Sequence, residues 1–124
     1  MDGRWNILLV EDDADLGPSI DHGLTSSGHY VTLVTSIEAA LRSFAKNNSY
    51  DVMLLDLQVG DERGESLIEQ LHIEHKSIPP VIVMSAQPAY EISSTARWIN
   101  AATVLRKPCA VQEIESTIQR VLQR

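Results

Sequence analysis

Runs of apolar residues alternate with mixed apolar and polar stretches along this chain. Three short runs are apolar at every position, which is typical of strands buried on both faces of a parallel sheet. These runs are residues 7–10, 52–55 and 81–84. Two further runs, 30–34 and 103–105, are rich in β-branched residues and predict two more strands. Between the runs, apolar residues recur three and four positions apart, which predicts a helix after each strand.

Strict alternation of strands and helices predicts the overall architecture. Such alternation indicates a parallel sheet with helices on both faces and right-handed crossovers. Five units in 124 residues leave only short loops, as in an α/β, flavodoxin-like (βα)5 doubly wound fold with strand order 2-1-3-4-5. No repeat or Pro/Gly/Ser-rich linker interrupts the pattern, so we predict a single domain over residues 1–124.

Residues that favour helix ends mark the limits of the first two helices. Asp15 is the predicted N-cap of the first helix, and Gly28 is predicted to end it because glycine adopts left-handed backbone conformations readily. Ser36 is the predicted N-cap of the second helix, which should end at residues 47–49. The segment Gly60–Gly64 is predicted to be a loop.

Composition and charge narrow the function classes. A hydrophobic content of 44% and a net charge of −7 describe an acidic globular protein, which argues against direct nucleic-acid binding and suits a cation site or a basic partner. No apolar run approaches the ~20 residues that cross a bilayer, and no signal-peptide pattern opens the chain. With Cys109 as its single cysteine the chain cannot form an intrachain disulfide. We therefore expect a cytoplasmic protein that does not insert into membranes.

Polar residues follow four of the predicted strands at the same edge of the sheet. Glu11 and Asp12 follow the first strand, Asp56 the third, Ser85 the fourth and Lys107 the fifth. Neighbouring strands are about 4.8 Å apart, and two carboxylates at ~4 Å repel by about 4 kcal/mol at an effective dielectric constant of 20. The acids therefore need a cation, and an oxygen-only ligand set favours Mg²⁺.

This combination of groups predicts a phosphoryl acceptor. The Asp56 carboxylate would attack phosphorus and form an aspartyl phosphate. Mg²⁺ and Lys107 would neutralise the phosphoryl oxygens, and the Ser85 hydroxyl would donate a hydrogen bond to one of them. No general base is required, because a carboxylate nucleophile is already ionised.

The sequence resembles the receiver domain of two-component response regulators over essentially its whole length. Each matching motif is weak alone, but their order and spacing at strand ends make the set specific. The motifs are Leu8–Asp13, Asp51–Leu57 with Gly64, Val83–Ala86, and Lys107–Pro108.

The resemblance implies a role for each matched residue. Asp56 would be the phosphoacceptor, Ser85 the switch hydroxyl and Lys107 the phosphate-binding lysine. The donor would be a phosphohistidine on a sensor histidine kinase or a histidine phosphotransfer protein. An output domain or target protein would receive the signal, and phosphorylation is a possible trigger for dimerisation. Beyond slow self-phosphorylation and self-dephosphorylation, with the latter tuned at Gln58 and Gln87, no enzymatic activity is implied.

The resemblance also implies a metal-ligand set. Asp12, Asp56 and the main-chain carbonyl of Gln58 would bind Mg²⁺ directly, and Glu11 would reach the ion through a water molecule. Asp13 would lie near the site without being a ligand.

The sequence departs from the family pattern at several positions. Gly60 stands where the family usually has proline, Arg63 where an acid or asparagine is common, and Cys109 where phenylalanine is common. Val104 replaces the switch aromatic residue three positions before the lysine. The resemblance implies an output surface on the fourth helix, fifth strand and fifth helix, which we expect to comprise Ile92, Arg97, Trp98, Val104 and Arg106.

Two alternatives remain open from the sequence. An aspartate-nucleophile phosphatase usually carries a second acid two residues after its nucleophile, where this chain has Gln58. A degenerate receiver acting only as a scaffold is the other, since Val104 and Gly60 depart from the family.

His72 and His75 are one helical turn apart, but a solvated helix face is the favoured interpretation. Trp98 fits either a partner surface or partial core packing.

Overall fold

The computed structural model describes residues 3–47 and 49–123, which form seven strands and five helices. The strands are β1 (Asn6–Val10), β2 (Tyr30–Val34), β3 (Val52–Asp56), β4 (Gln58–Val59), β5 (Glu62–Arg63), β6 (Val81–Ser85) and β7 (Thr103–Arg106). The helices are α1 (Leu16–Ser26), α2 (Ile37–Lys46), α3 (Glu65–Ile73), α4 (Ala89–Trp98) and α5 (Val111–Leu122).

The main sheet has five parallel strands in the order β2-β1-β3-β6-β7. This is the predicted order 2-1-3-4-5 once the short strands β4 and β5 are set aside, and the predicted flavodoxin-like fold is confirmed. All five residues of both β3 and β6 are buried. The uninterrupted apolar runs are explained by this burial, because neither face of these strands meets water.

Each face of the sheet carries its own hydrophobic core. Leu8 and Met53 pack with residues of α2, α3 and α4, whereas Ile7 and Val52 pack with residues of α1 and α5. Successive strand residues point to opposite faces, so a single run such as 7–10 supplies both cores. The helices therefore cover both faces of the sheet, and the carboxyl ends of its strands remain open for polar residues.

Both predicted N-cap residues occupy the N-cap position, but only one of them makes a capping hydrogen bond. Ser36 Oγ accepts a hydrogen bond from Ala39 N at 3.0 Å, as predicted for an N-cap. Asp15 occupies the N-cap position of α1 as predicted, but its side chain makes no capping hydrogen bond. Asp13 takes that role: its Oδ1 accepts from Asp15 N at 2.9 Å and from Leu16 N at 2.8 Å. These bonds lower the pKa of the Asp13 carboxyl.

Three further features concern the hairpin after β3, the end of α1 and helix α4. The predicted loop contains an antiparallel hairpin, in which β4 pairs with β5 across the two residues Gly60 and Asp61. Gly28, at φ +100°, follows the end of α1 as predicted. Ile92 was expected on the output surface, but it is 2% exposed and belongs to the core. Among the described residues, no helix is both long and apolar enough to span a membrane.

Candidate functional site

Four strand ends bring the predicted residues to one edge of the sheet. Asp56 and Ser85 end β3 and β6, while Glu11 and Lys107 come directly after β1 and β7. The main-chain N–H of Lys107 donates to the Ser85 carbonyl at 3.0 Å, which holds the lysine beside the end of β6. An open crevice at this edge is lined by Glu11, Asp12, Asp13, Asp56, Gln58, Ser85, Ala86, Gln87 and Lys107.

Lys107 bridges two acids that lie on different strands. Its Nζ donates to Glu11 Oε1 at 2.7 Å and to Asp56 Oδ2 at 3.0 Å. The side chains of Lys107, Glu11 and Asp56 are 16%, 1% and 10% exposed. Because these charges are removed from most of the solvent, their interaction is stronger than that of a surface ion pair.

The electrostatics of this cluster shift two pKa values. Burial raises the pKa of Glu11, and this rise outweighs the opposing hydrogen bond from Lys107. Burial by itself would lower the pKa of Lys107, but the hydrogen bonds to Glu11 and Asp56 and their charges raise it overall. Lys107 is therefore a cation throughout the neutral pH range.

Lys107 alone does not neutralise the group of acids formed by Glu11, Asp12 and Asp56. Ligand oxygens of Glu11, Asp12 and Asp56 lie within 4.8 Å of one another. At that separation two carboxylates repel by about 3–4 kcal/mol at an effective dielectric constant of 20, and the cluster keeps an excess negative charge beside Lys107. The donor set consists of carboxylate oxygens, which fits a hard divalent cation such as Mg²⁺.

The oxygens of Glu11 are already engaged. Oε1 accepts from Lys107, and Oε2 accepts from the main-chain N–H of Asp13 at 3.1 Å. Both carboxylate oxygens of Glu11 already accept a hydrogen bond, whereas Asp12 is exposed. This difference is compatible with the expectation that Glu11 contacts the ion through a water molecule. The N–H of Gln58 donates to Asp56 Oδ1 at 3.1 Å. The metal role of the Gln58 carbonyl stays a prediction.

Ser85 lies at the inner wall of the crevice and is 2% exposed. Its Oγ accepts a hydrogen bond from Gln87 N at 3.0 Å. A hydroxyl that accepts in this way keeps its own proton for donation to another group. The geometry is therefore consistent with the predicted donor role, and it ties Ser85 to the loop that leads into α4.

Two glycines shape the site through contacts that the sequence did not predict. The Gly60 N–H donates to Asp12 Oδ2 at 2.8 Å, although the sequence drew attention to Gly60 only as a departure from the family pattern. Gly64 lies against the backbone of β3: a Cβ at this position would collide with the Asp56 carbonyl oxygen and lie 3.0 Å from Leu57 Cα. The available signal was the Gly-Asp pair between short β-compatible stretches, which is a hairpin pattern.

Most of the expected output surface is exposed. Arg97, Trp98 and Arg106 are exposed, whereas Val104 is partly buried against the core below α4. Trp98 is 73% exposed, which decides in favour of a surface position. Its Nε1 donates to Glu69 Oε2 at 3.0 Å, so the indole ring connects α4 with α3.

The remaining candidate residues lie outside the crevice lining. His72 and His75 are both exposed, and His75 lies beyond the end of α3. Cys109 is half-buried and packs against the core formed with α1 and α5. Burial raises the pKa of its thiol. The Lys107–Pro108 peptide bond is cis.

A doubly wound α/β domain with this acidic crevice is the class that the fold and site define, and the comparisons identify its family. The sequence profile described as "Response regulator receiver domain" matches residues 7–119. The chain is 29% identical over 124 residues to the transcriptional regulatory protein RprY of Bacteroides fragilis, and 32% identical over 122 residues to the swarming motility regulation protein RssB of Serratia marcescens. These matches cover 100% and 96% of this chain but 52% and 53% of the relatives.

A solved structure agrees with these sequence relatives. The response regulator receiver domain protein from Clostridium thermocellum superimposes with a TM-score of 0.81 at 26% identity, covering 97% of this chain and 95% of the other. The chain belongs to the receiver domain family of two-component response regulators, whose members act in phosphorylation-dependent signalling. This membership does not favour the phosphatase or the scaffold alternative. The chain spans about half the length of the curated relatives it matches.

Proposed function

We propose that Asp56 accepts a phosphoryl group and that Mg²⁺ supports the transfer. The observation that carries the proposal is the convergence at one strand edge: Lys107 Nζ bridges Glu11 and Asp56, with Asp12 oxygen within 4.8 Å of both acids. A carboxylate nucleophile beside a fixed cation and a clustered set of hard ligands is the arrangement that phosphoryl transfer to an acid requires.

The chain's own residues have distinct roles in this proposal. An Asp56 carboxylate oxygen forms the new bond to phosphorus while the P–N bond of a phosphohistidine breaks, and the leaving imidazole keeps the bonding electrons. Lys107 is held 3.0 Å from Asp56 and moves its hydrogen bonds to the phosphoryl oxygens as charge builds there. Ser85 donates its hydroxyl proton to one of these oxygens. No proton has to be removed from the nucleophile.

The metal site uses the residues around this pair. Asp12, Asp56 and the Gln58 main-chain carbonyl are proposed as direct ligands, and Glu11 as a ligand through water. When bound, Mg²⁺ neutralises negative charge on the transferred group and between the acids. Support for this set comes from the close grouping of the acids, and the excess negative charge there favours a cation.

The rest of the signalling chain is proposed from the relatives. They are named as regulators of transcription and of swarming motility, and each is about twice as long as this chain. We propose that residues 1–124 form one receiver domain of a cytoplasmic regulator with an output domain. A sensor histidine kinase or histidine phosphotransfer protein is its donor, and a phosphorylation-dependent dimer is its proposed active form. Apart from slow self-phosphorylation from small donors and self-dephosphorylation, the domain itself catalyses no reaction.

Phosphorylation by acetyl phosphate in the presence of Mg²⁺ tests the assignment of Asp56. Intact-protein mass spectrometry should show one added phosphoryl group, which hydroxylamine removes and which Asp56→Asn abolishes. Asp21→Asn is the matched control, because Asp21 lies on α1 with its carboxylate hydrogen-bonded to Thr25. Undiminished labelling of the Asp56→Asn variant would refute the assignment.

A further inference from the structure

The tight turn between β4 and β5 contacts the Mg²⁺ site through its backbone. Gly60 and Asp61 are the two turn residues, and Gly60 has a φ of +60°. A positive φ at the first central residue is the feature that favours glycine in a type II′ hairpin turn. In this conformation the Gly60 N–H points at the Asp12 carboxylate and donates to Oδ2 at 2.8 Å, across 48 positions of sequence.

The hairpin that carries this N–H is anchored on three sides. Val59 is 2% exposed and packs into the core. The Gln58 side-chain amide donates to the Gly60 carbonyl at 2.9 Å, which closes the turn on itself. At the other end, Gly64 N donates to the Leu57 carbonyl at 2.9 Å. The Gly60 donor is therefore fixed by the fold before any ligand arrives.

Asp12 itself has much less support. It is exposed, whereas Glu11 and Asp56 are buried and held by Lys107. An exposed carboxylate samples several rotamers, and ordering it on metal binding costs conformational entropy. A hydrogen bond from a rigid turn reduces that cost, because it selects one orientation in advance.

We propose that the Gly60 N–H is a positioning group of the Mg²⁺ site, which orients Asp12 for the ion. This inference rests on the proposed function, in which Asp12 is a direct ligand. A carboxylate has about four acceptor positions, so Oδ2 accepts the N–H while the remaining positions face the metal. Hydrogen-bond partners of metal ligands commonly affect metal affinity about 10- to 100-fold.

The contact goes with a departure from the family pattern. The resemblance described above places proline at this position in most receiver domains, and proline has no N–H to donate. The positive φ of Gly60 is also closed to proline, whose ring fixes φ near −65°. The contact to Asp12 therefore comes with the glycine that distinguishes this chain.

Replacing the amide of Gly60 by an ester tests the proposal without altering the side chain. A glycolic acid residue at position 60 keeps the turn but removes the N–H donor. The matched control is the same replacement at Gly28, whose N–H donates to the Thr25 carbonyl at 2.9 Å at the end of α1. Mg²⁺ affinity is measured by titration of ¹⁵N-labelled protein, followed by NMR.

The expected result is an increase of about tenfold in the Mg²⁺ dissociation constant for the ester at 60, and no change for the ester at 28. In the unaltered protein, the Gly60 amide proton should stay hydrogen-bonded, with a downfield shift and slow exchange, when Mg²⁺ saturates the site. Equal affinities for both esters would overturn the proposal. Tighter binding by the ester at 60, or loss of the Gly60 hydrogen bond on saturation, would show that the N–H competes with the ion. If the unaltered protein bound no Mg²⁺, the metal assignment itself would fail, and this inference with it.

Discussion

Lys107→Met removes the cation that bridges Glu11 and Asp56. Methionine has a similar length and no charge, so the substitution tests the ion pairs rather than the packing. The two carboxylates are almost fully buried and would face each other without compensation. We expect the variant to fold but with a reduced free energy of unfolding in metal-free buffer.

Two physical quantities set the size of this loss. Carboxylate oxygens within 4.8 Å of each other repel by at least about 3.5 kcal/mol at an effective dielectric constant of 20. Protonation of Glu11 relieves this repulsion, and forcing a group of ordinary pKa 4.5 to hold a proton at pH 7 costs about 3.4 kcal/mol. The expected loss at pH 7 is therefore about 3 kcal/mol, in the range typical of a broken buried ion pair.

The loss should depend on pH with a definite sign. The folded-state pKa of Glu11 is already raised by burial, and loss of Lys107 raises it further. The folded state then binds more protons than the unfolded state, so stability falls as pH rises through that pKa and is regained as pH falls toward 4.5. The deficit relative to the unaltered protein should shrink by up to about 1.4 kcal/mol per pH unit.

Urea denaturation followed by far-ultraviolet circular dichroism, in EDTA and in Mg²⁺, measures these effects. Mg²⁺ at ten times its dissociation constant adds about 1.4 kcal/mol to the free energy of unfolding. The variant should gain more stability from Mg²⁺ than the unaltered protein, because Lys107 no longer competes with the ion for the carboxylates. Lys46→Met is the control, since Lys46 is exposed at the end of α2. A loss below about 1 kcal/mol in EDTA at pH 7, or a loss that acid does not reduce, would refute the ion-pair argument.

Two further predictions follow from close contacts and burial. Gly64→Ala should lower the free energy of unfolding by about 3 kcal/mol or more, because its Cβ meets the Asp56 backbone rather than a movable side chain; a thermal melt unchanged within error would contradict this. Cys109 should react with iodoacetamide more slowly than a free thiol at pH 8, because burial raises its pKa above the ordinary 9.0 and reduces the thiolate fraction. The reaction is followed by mass spectrometry across a pH series, and a half-maximal rate at a pH below 9.0 would disprove the prediction.

The sheet and the convergence of the site could be predicted from the sequence because both depend on patterns with one structural solution. The runs at 52–55 and 81–84 have no polar residue and are too short for a helix, so they favour strands covered on both sides. Parallel strands end at a common edge, so Asp56 and Lys107 had to approach each other once the strand order was known. Their direct contact at 3.0 Å was not predictable, because side-chain pairing depends on local rotamers.

Errors arose where several residues had similar propensities. Asp15 occupies the N-cap position of α1, but Asp13 supplies the capping hydrogen bonds, and the sequence does not show which of these two acids bonds to the helix N–H groups. Ile92 was placed on the output surface with its α4 neighbours, but it is 2% exposed, whereas Tyr90 and Trp98 on the same helix are 76% and 73% exposed. Gly60 was interpreted only as a departure from proline, although its conformational freedom and its N–H are what the hairpin uses.

The two tryptophans of this chain lie on different faces of the sheet. Trp5 stacks on the His29 ring at 4.3 Å beside the core shared by α1 and α5, while Trp98 is exposed and bound to Glu69 between α4 and α3. The protein therefore carries a separate fluorescent reporter for each helical layer. With Trp5→Phe, the tryptophan emission that remains comes from Trp98 alone, and a spectrum that does not change when α4 unfolds would show that this indole does not sense its helix.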